Sequence, residues 1–316
     1  MRNYADDVNL HTRIYAMKGR LLSLHDYTAM AREQEAFPDK NFGDPELIEA
    51  KESIFREQIS SLIPLVEANE KYAPLFLAYI RQYEAHNLKL ILAKAFGRQS
   101  LEQWYDIGPY AILNKELLKK NISLDQLQSI IANTYLSDEF KNISSFRRME
   151  IRVEICTARN FYQSAAPLSE QAQSELKTIM IKRMAVLSVI WAYRLKGYYH
   201  WNDEKIRLYI EKVNDLFGGY ALSQVRMVQE ELHEYIEQLR RSGAQEPTVM
   251  DIERHLEHSF FAWISSMFYR DFHSINCVVA YLWLLTYQIR NMFSIIEGRR
   301  FGFDSAAILN KLICEA

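Results

Sequence analysis

The chain has 316 residues, 49% hydrophobic and 25% charged, with 38 Lys and Arg against 40 Asp and Glu and a net charge of −2. Its charges are mixed in sign, with no basic block longer than the pairs Arg240-Arg241 and Arg299-Arg300, which argues against a nucleic-acid partner because such binders carry a basic stripe. The longest apolar run, VVAYLWLLTY at 278–287, is half the roughly 20 residues that a membrane span needs.

Gly (10) and Pro (7) are scarce, together about 5% of the chain against roughly 12% in average usage. Both disfavour helix interiors, and no alternating strand-like run persists, so the fold class predicted is all-α. Cys156, Cys277 and Cys314 are odd in number and far apart, which fits buried thiols in a reducing compartment better than a disulfide framework. The opening MRNYADDVNLHTRIY has no apolar segment of the signal-peptide kind, and a soluble protein is expected.

Along the chain, FPDKNFGDP (37–45), SAAPLSEQ (164–171) and RSGAQEP (241–247) are the clear turns. Between them apolar residues recur at three and four, as in Leu62, Leu65, Val66 and again Leu75, Leu77, Tyr79. Ser123 with Gln126, and Thr248 with Asp251, have the spacing of capping boxes that open helices.

Three stretches resemble one another: YEAHNLKLILAKAFG (83–97), MAVLSVIWAYRLKG (184–197) and YQIRNMFSIIEGRRFG (287–302). Aligned on Asn87, Ser188 and Asn291, they place Tyr83, Met184 and Tyr287 four residues earlier. At +1, +4 and +5 stand Leu88, Ile91, Leu92; then Val189, Ala192, Tyr193; then Met292, Ile295, Ile296. That is one apolar helix face presented three times. Gly97, Gly197 and Gly302 follow, in the place where a left-handed residue closes a helix. Ser100 (with Gln103), Asn202 and Asp304 then stand ready to cap the next helix. The anchors lie 101 and 103 residues apart, counted from 87 to 188 and from 188 to 291. The spacing predicts three similar helical lobes, 1–105, 106–205 and 206–316. Tyr83 and Asn87, like Tyr287 and Asn291, share a helix face, so each amide is expected at the edge of a buried seam, bonded to nearby backbone because a buried amide is costly otherwise.

Catalytic patterns are sparse. Glu230-Glu231-Leu232-His233 holds one Glu-x-x-His, but a di-metal carboxylate site needs two such motifs and two further glutamates. His255 and His258 lack a third ligand, Asp6-Asp7 stands alone, and Gly218-Gly219 has no strand before it. No phosphate loop, zinc-protease helix or nucleophile elbow is present. Catalytic residues, metal ligands, cofactors and a small-molecule substrate are therefore not expected. Trp191, Trp263 and Trp283 lie in apolar runs and read as core, whereas Trp104 and Trp201 follow the repeated helix and suit an interface.

The third stretch, VVAYLWLLTYQIRNMFSIIEGRRFGFDSAAILNKL (278–312), resembles the C-terminal segment of the C-type rotor component of the V/A-type (vacuolar/archaeal-type) rotary ATPases, the counterpart of the d component of the eukaryotic V-ATPase. Its Ile289-Arg290-Asn291 run and the basic, glycine-containing turn before a Leu-rich end carry the likeness. YEAHNLKLILAKAFG and RLLSLHDY (20–27) are similar to that family's first-lobe Asn-Leu-Lys and N-terminal Arg-Leu-Leu runs, so the resemblance spans the chain. Ser188, Gln288, Ala93 and Glu297 depart from residues common there: asparagine, glutamate and two arginines. The resemblance implies a funnel of three lobes about a pseudo-threefold axis. It implies a non-catalytic rotor subunit, peripheral at the cytoplasmic face, between the central-stalk subunits and the membrane proteolipid ring. Ion transport, such as proton transport, and ATP synthesis or hydrolysis would be the business of the whole machine. A free-standing helical adaptor that binds another partner helix is the alternative.

Overall fold

The computed structural model describes residues 2–32, 45–98, 103–120, 122–132, 134–137, 146–215 and 220–315. Among these there is no β-strand. The helices in chain order are α1 (Arg2–Lys18), α2 (Leu24–Arg32), α3 (Pro45–Ser60), α4 (Ile63–Ala68), α5 (Ala73–Ala95), α6 (Leu124–Ile131), α7 (Phe146–Gln163), α8 (Glu170–Gly197), α9 (Asp203–Asp215), α10 (Tyr220–Arg241), α11 (Val249–Phe268), α12 (Ile275–Arg300) and α13 (Ser305–Leu309). The three anchors fall on α5, α8 and α12, with 23, 28 and 26 residues. Before each long helix comes a shorter one: α3 and α4, then α7, then α11.

Packing divides the chain into two compact units, 1–173 with 285–312 and 174–284 with 313–316. In the first, a core of Leu10, Ile14, Phe55, Leu62, Leu65, Leu75 and Phe76 is closed to solvent. Beside it, one apolar cluster gathers Leu88, Ile91 and Leu92 of α5 with Leu127 and Ile131 of α6 and Met149, Val153 and Cys156 of α7. In the second unit, Ile179, Met184, Ala185 and Val189 of α8 are buried, as are Leu256, Phe260, Ile264 and Phe268 of α11.

Helix ends follow local chemistry. Ser123 with Gln126, and Thr248 with Asp251, form reciprocal capping boxes; Asn202 accepts from Lys205 N (2.9 Å) and Asp304 from Ala307 N (2.7 Å). Ser100, Gly218-Gly219 and residues 37–44 of the first turn lie outside the described residues, as do the side chains of Asp6 and Asp7. Gly97 and Gly302 are left-handed, each with φ of 69°. The next N–H then bonds back five residues, Arg98 to Ala93 O (2.8 Å) and Phe303 to Gly298 O (2.9 Å), which closes the helix.

Gly197 differs from the expectation. It is the last residue of α8, and the left-handed position falls on His200 (φ 52°), whose neighbour Trp201 bonds from its N–H to Leu195 O (3.0 Å). Glycine is present at 197 for packing, since a Cβ there would lie 2.8 Å from Val249 Cγ2. Gly243, which sequence spacing did not single out, makes the same closure as Gly97 (φ 72°). Trp104 is also corrected: it is 6% exposed and sits in the apolar cluster of α5–α7, while Trp191, Trp263 and Trp283 are only partly buried.

Candidate functional site

The repeated motif of the first unit holds down a stretch whose own regular structure is two short 3-10 helices, Gly108–Tyr110 and Lys115–Leu118. Asn87 is buried on α5 and clasps the backbone of Tyr105: its Nδ2 donates to Tyr105 O (2.7 Å) and its Oδ1 accepts from Tyr105 N (2.8 Å). One turn earlier, the Glu84 carboxylate accepts from Leu113 N (2.7 Å) and from Ile112 N. Lys94 donates to Leu118 O. Glu52 of α3 accepts from Trp104 N (3.0 Å) and pairs with Lys115 (2.7 Å). Side chains at 84, 87 and 94 lie along one face of α5, three and seven residues apart. They bind the groups that a helix or sheet would otherwise satisfy. Burial pushes the Glu84 carboxyl up despite those amide bonds.

Tyr105 is the wedge of this arrangement. Its ring stands 4.8 Å from Phe55, 5.4 Å from Tyr83 and from His86, and 6.4 Å from Phe293. Tyr83 is buried, and its hydroxyl meets Tyr79 Oη (3.0 Å) and Thr286 Oγ1 (3.3 Å); burial raises its phenol. His86 is half-buried, and burial, with Lys89 and Arg290 nearby and Glu154 opposing, pushes its imidazole down to about 4. Lys89 pairs with Glu154.

On α12, Tyr287 is among the largest fully buried side chains, and Arg290 is exposed with its guanidinium 5.7 Å from the Tyr287 ring. Asn291 is 3% exposed. The departures from the resembled family have local partners. Gln288 accepts from Leu22 N and donates to Gln58 Oε1, both at 2.6 Å, which ties the Arg20-Leu21-Leu22 run to the third motif. Glu297 pairs with Lys51 (2.5 Å).

In the second unit Ser188 is buried and donates to Met184 O (2.7 Å), within its own helix, so it does not clasp a loop as Asn87 does. The main polar feature is an ion pair invisible to sequence spacing. Arg183 meets Glu257 through two bonds (2.7 and 3.1 Å), with both residues buried. The guanidinium lies 5.0 Å from the Phe260 ring and 4.9 Å from Trp283. The sequence signal is slight: charges set within apolar runs, Arg183 beside Lys182 in IMIKRMAV and Glu257 in HLEHSFF.

Among the described residues, no group of three His, Cys, Asp or Glu side chains could hold a metal, and no helix is long and apolar enough to cross a membrane. His255 stacks on Tyr235 with ring centroids 3.7 Å apart. These side chains brace helices and loops within each unit. Residues 62–311 match the family described as ATP synthase (C/AC39) subunit. The chain belongs to that family. It is thus a subunit type of the V/A-type ATPases, as the Asn-Leu-Lys and Ile-Arg-Asn runs lead one to expect. No curated protein was found to match the chain.

Proposed function

We propose that this AC39-family chain is a non-catalytic rotor subunit that joins the central stalk to the membrane proteolipid ring, at the cytoplasmic face of the membrane. The match over residues 62–311 is the observation that carries this reading. The proposal includes three similar lobes, 1–105, 106–205 and 206–316, arranged as a funnel about a pseudo-threefold axis. Support comes from the recurring order of a shorter helix followed by a long one that bears Asn87, Ser188 or Asn291. A subunit that passes torque needs helix packing that holds its register under load. The Asn87 clasp and the Arg183–Glu257 pair are of that kind, because each is costly to break.

The test is co-purification of the tagged chain from cells that make the ATPase, followed by reconstitution. Stalk and ring subunits should appear in fixed ratio with the chain. A machine assembled without it should hydrolyse ATP in the head with ion transport lost. If neither stalk nor ring subunits accompany the chain, the rotor reading fails and the helical-adaptor reading takes its place.

A further inference from the structure

Of the +4 and +5 positions of the repeated stripe, +4 is closed to solvent on two of the long helices and partly exposed on the third. On α5 they are Ile91 and Leu92, fully within the apolar cluster. On α12 they are Ile295, closed to solvent, and Ile296, partly buried. On α8 they are Ala192 and Tyr193, both partly buried, as Ile296 is. There they floor a groove of about 660 Å³ with Ile206 and Ile210 of α9 and Leu222 and Val225 of α10. Smaller Ala192 stands where the other two helices have isoleucine, and Leu222 on the α10 wall of the groove is exposed.

The chain itself shows what covers such a stripe. At α5 the cluster is completed by α6, an amphipathic helix of eight residues that presents Leu124, Leu127, Ile130 and Ile131. The groove at α8 has a matching length. Asp203 to Glu211 on its α9 wall spans about 12 Å at 1.5 Å per residue, or about two helical turns. Its rim also has a definite charge. Lys196 pairs with Asp203 (2.9 Å) and Arg207 with Glu211 (3.8 Å), whereas Arg226 has no carboxylate partner among the described residues.

We propose that this groove receives an amphipathic helix of about two turns from another subunit of the ATPase, with apolar residues on α8 and a carboxylate against Arg226. An apolar helix face laid into a groove is a recurrent mode of recognition. This inference rests on the rotor-subunit reading. Complex prepared from cells that lack the chain is titrated with the labelled chain, and two variants are compared with wild type. Ala192→Leu fills the groove from a half-exposed helical site, and Arg226→Glu reverses the charge at an exposed one. Each should rebind about tenfold more weakly, the factor that 1.4 kcal/mol represents. A Leu222→Cys chain should lose maleimide labelling on assembly.

Rebinding at wild-type strength by both variants, with Leu222→Cys still labelled, overturns the groove while leaving the rotor reading intact. Failure of the wild-type chain to rebind removes the rotor reading and the groove proposal together. A concentration-dependent dimer of the isolated chain that Ala192→Leu abolishes, or binding to lipid vesicles lost in the same variant, would assign the groove to a second copy or to lipid and overturn the proposal. Should Ala192→Leu misfold, the surface change Arg226→Glu decides alone.

Discussion

Asn87 is a small residue with a large structural duty, because both edges of its amide are committed to one peptide unit. Leucine there would leave the Tyr105 N–H and carbonyl without partners. The chemical-denaturation midpoint of Asn87→Leu should report a loss of about 1–3 kcal/mol; a change within about 0.5 kcal/mol, usual for surface sites, would show the clasp to be dispensable. His86 acts through its proton. With a folded value of about 4 against 6.5 ordinarily, the unfolded chain accepts a proton that the folded chain refuses. Its contribution is therefore whole above pH 6.5 and drains away as the pH falls towards 4, by up to about 3 kcal/mol. Glu84, pushed up by burial, contributes with the opposite sign. The measurement is thus a difference between wild type and His86→Asn, in which the variant's stability should fall less steeply between pH 6.5 and 4. The Arg183–Glu257 pair behaves as a unit. Arg183→Met alone strands a buried carboxylate and should cost about 3–5 kcal/mol, while adding Glu257→Leu should restore most of that loss. If the double variant is no more stable than the single one, the pair is not the source of the cost.

At the scale of the helix, two glycines at matching places in the repeat hold different jobs. Gly97 has open space around its missing Cβ and a positive φ; Gly197 has ordinary helical backbone and a close neighbour in Val249. Both Gly→Ala changes should destabilise in thermal melts. Gly97→Ala forces a side chain onto left-handed backbone, at a cost of about 1–2 kcal/mol, and no second change relieves it. Gly197→Ala suffers overpacking of about 1–3 kcal/mol, which Val249→Ala should relieve. Equal response of the two to Val249→Ala would contradict this assignment. The pair also marks the limit of what the sequence discloses. Helix, apolar stripe, glycine and cap were legible because they depend on residues a few positions apart. Whether a glycine serves the backbone or a distant neighbour depends on Val249, more than fifty residues away, and no local pattern records that. The same reason hid Glu84 and Glu257, whose partners are remote in the chain, and it put Trp104 at a surface when the apolar cluster needed it.

For the molecule as a whole, residues 62–311 carry the family pattern, and the long helices α5, α8 and α12 are its visible frame. Less visible is the stretch 103–118, whose own regular structure is two short 3-10 helices, Gly108–Tyr110 and Lys115–Leu118, and which is held in its path by Glu52, Glu84, Asn87 and Lys94. Loops without ladders normally give up their amide protons to solvent within the fastest exchange classes. Here the N–H groups of Trp104, Tyr105, Ile112 and Leu113 are each held by a side chain anchored on α3 or α5. In deuterium oxide those four amides should therefore exchange with the slow helical population. Their neighbours at Tyr110 and Lys120, outside the clasps, should exchange early, so the loop's protection would follow its anchors on the helices.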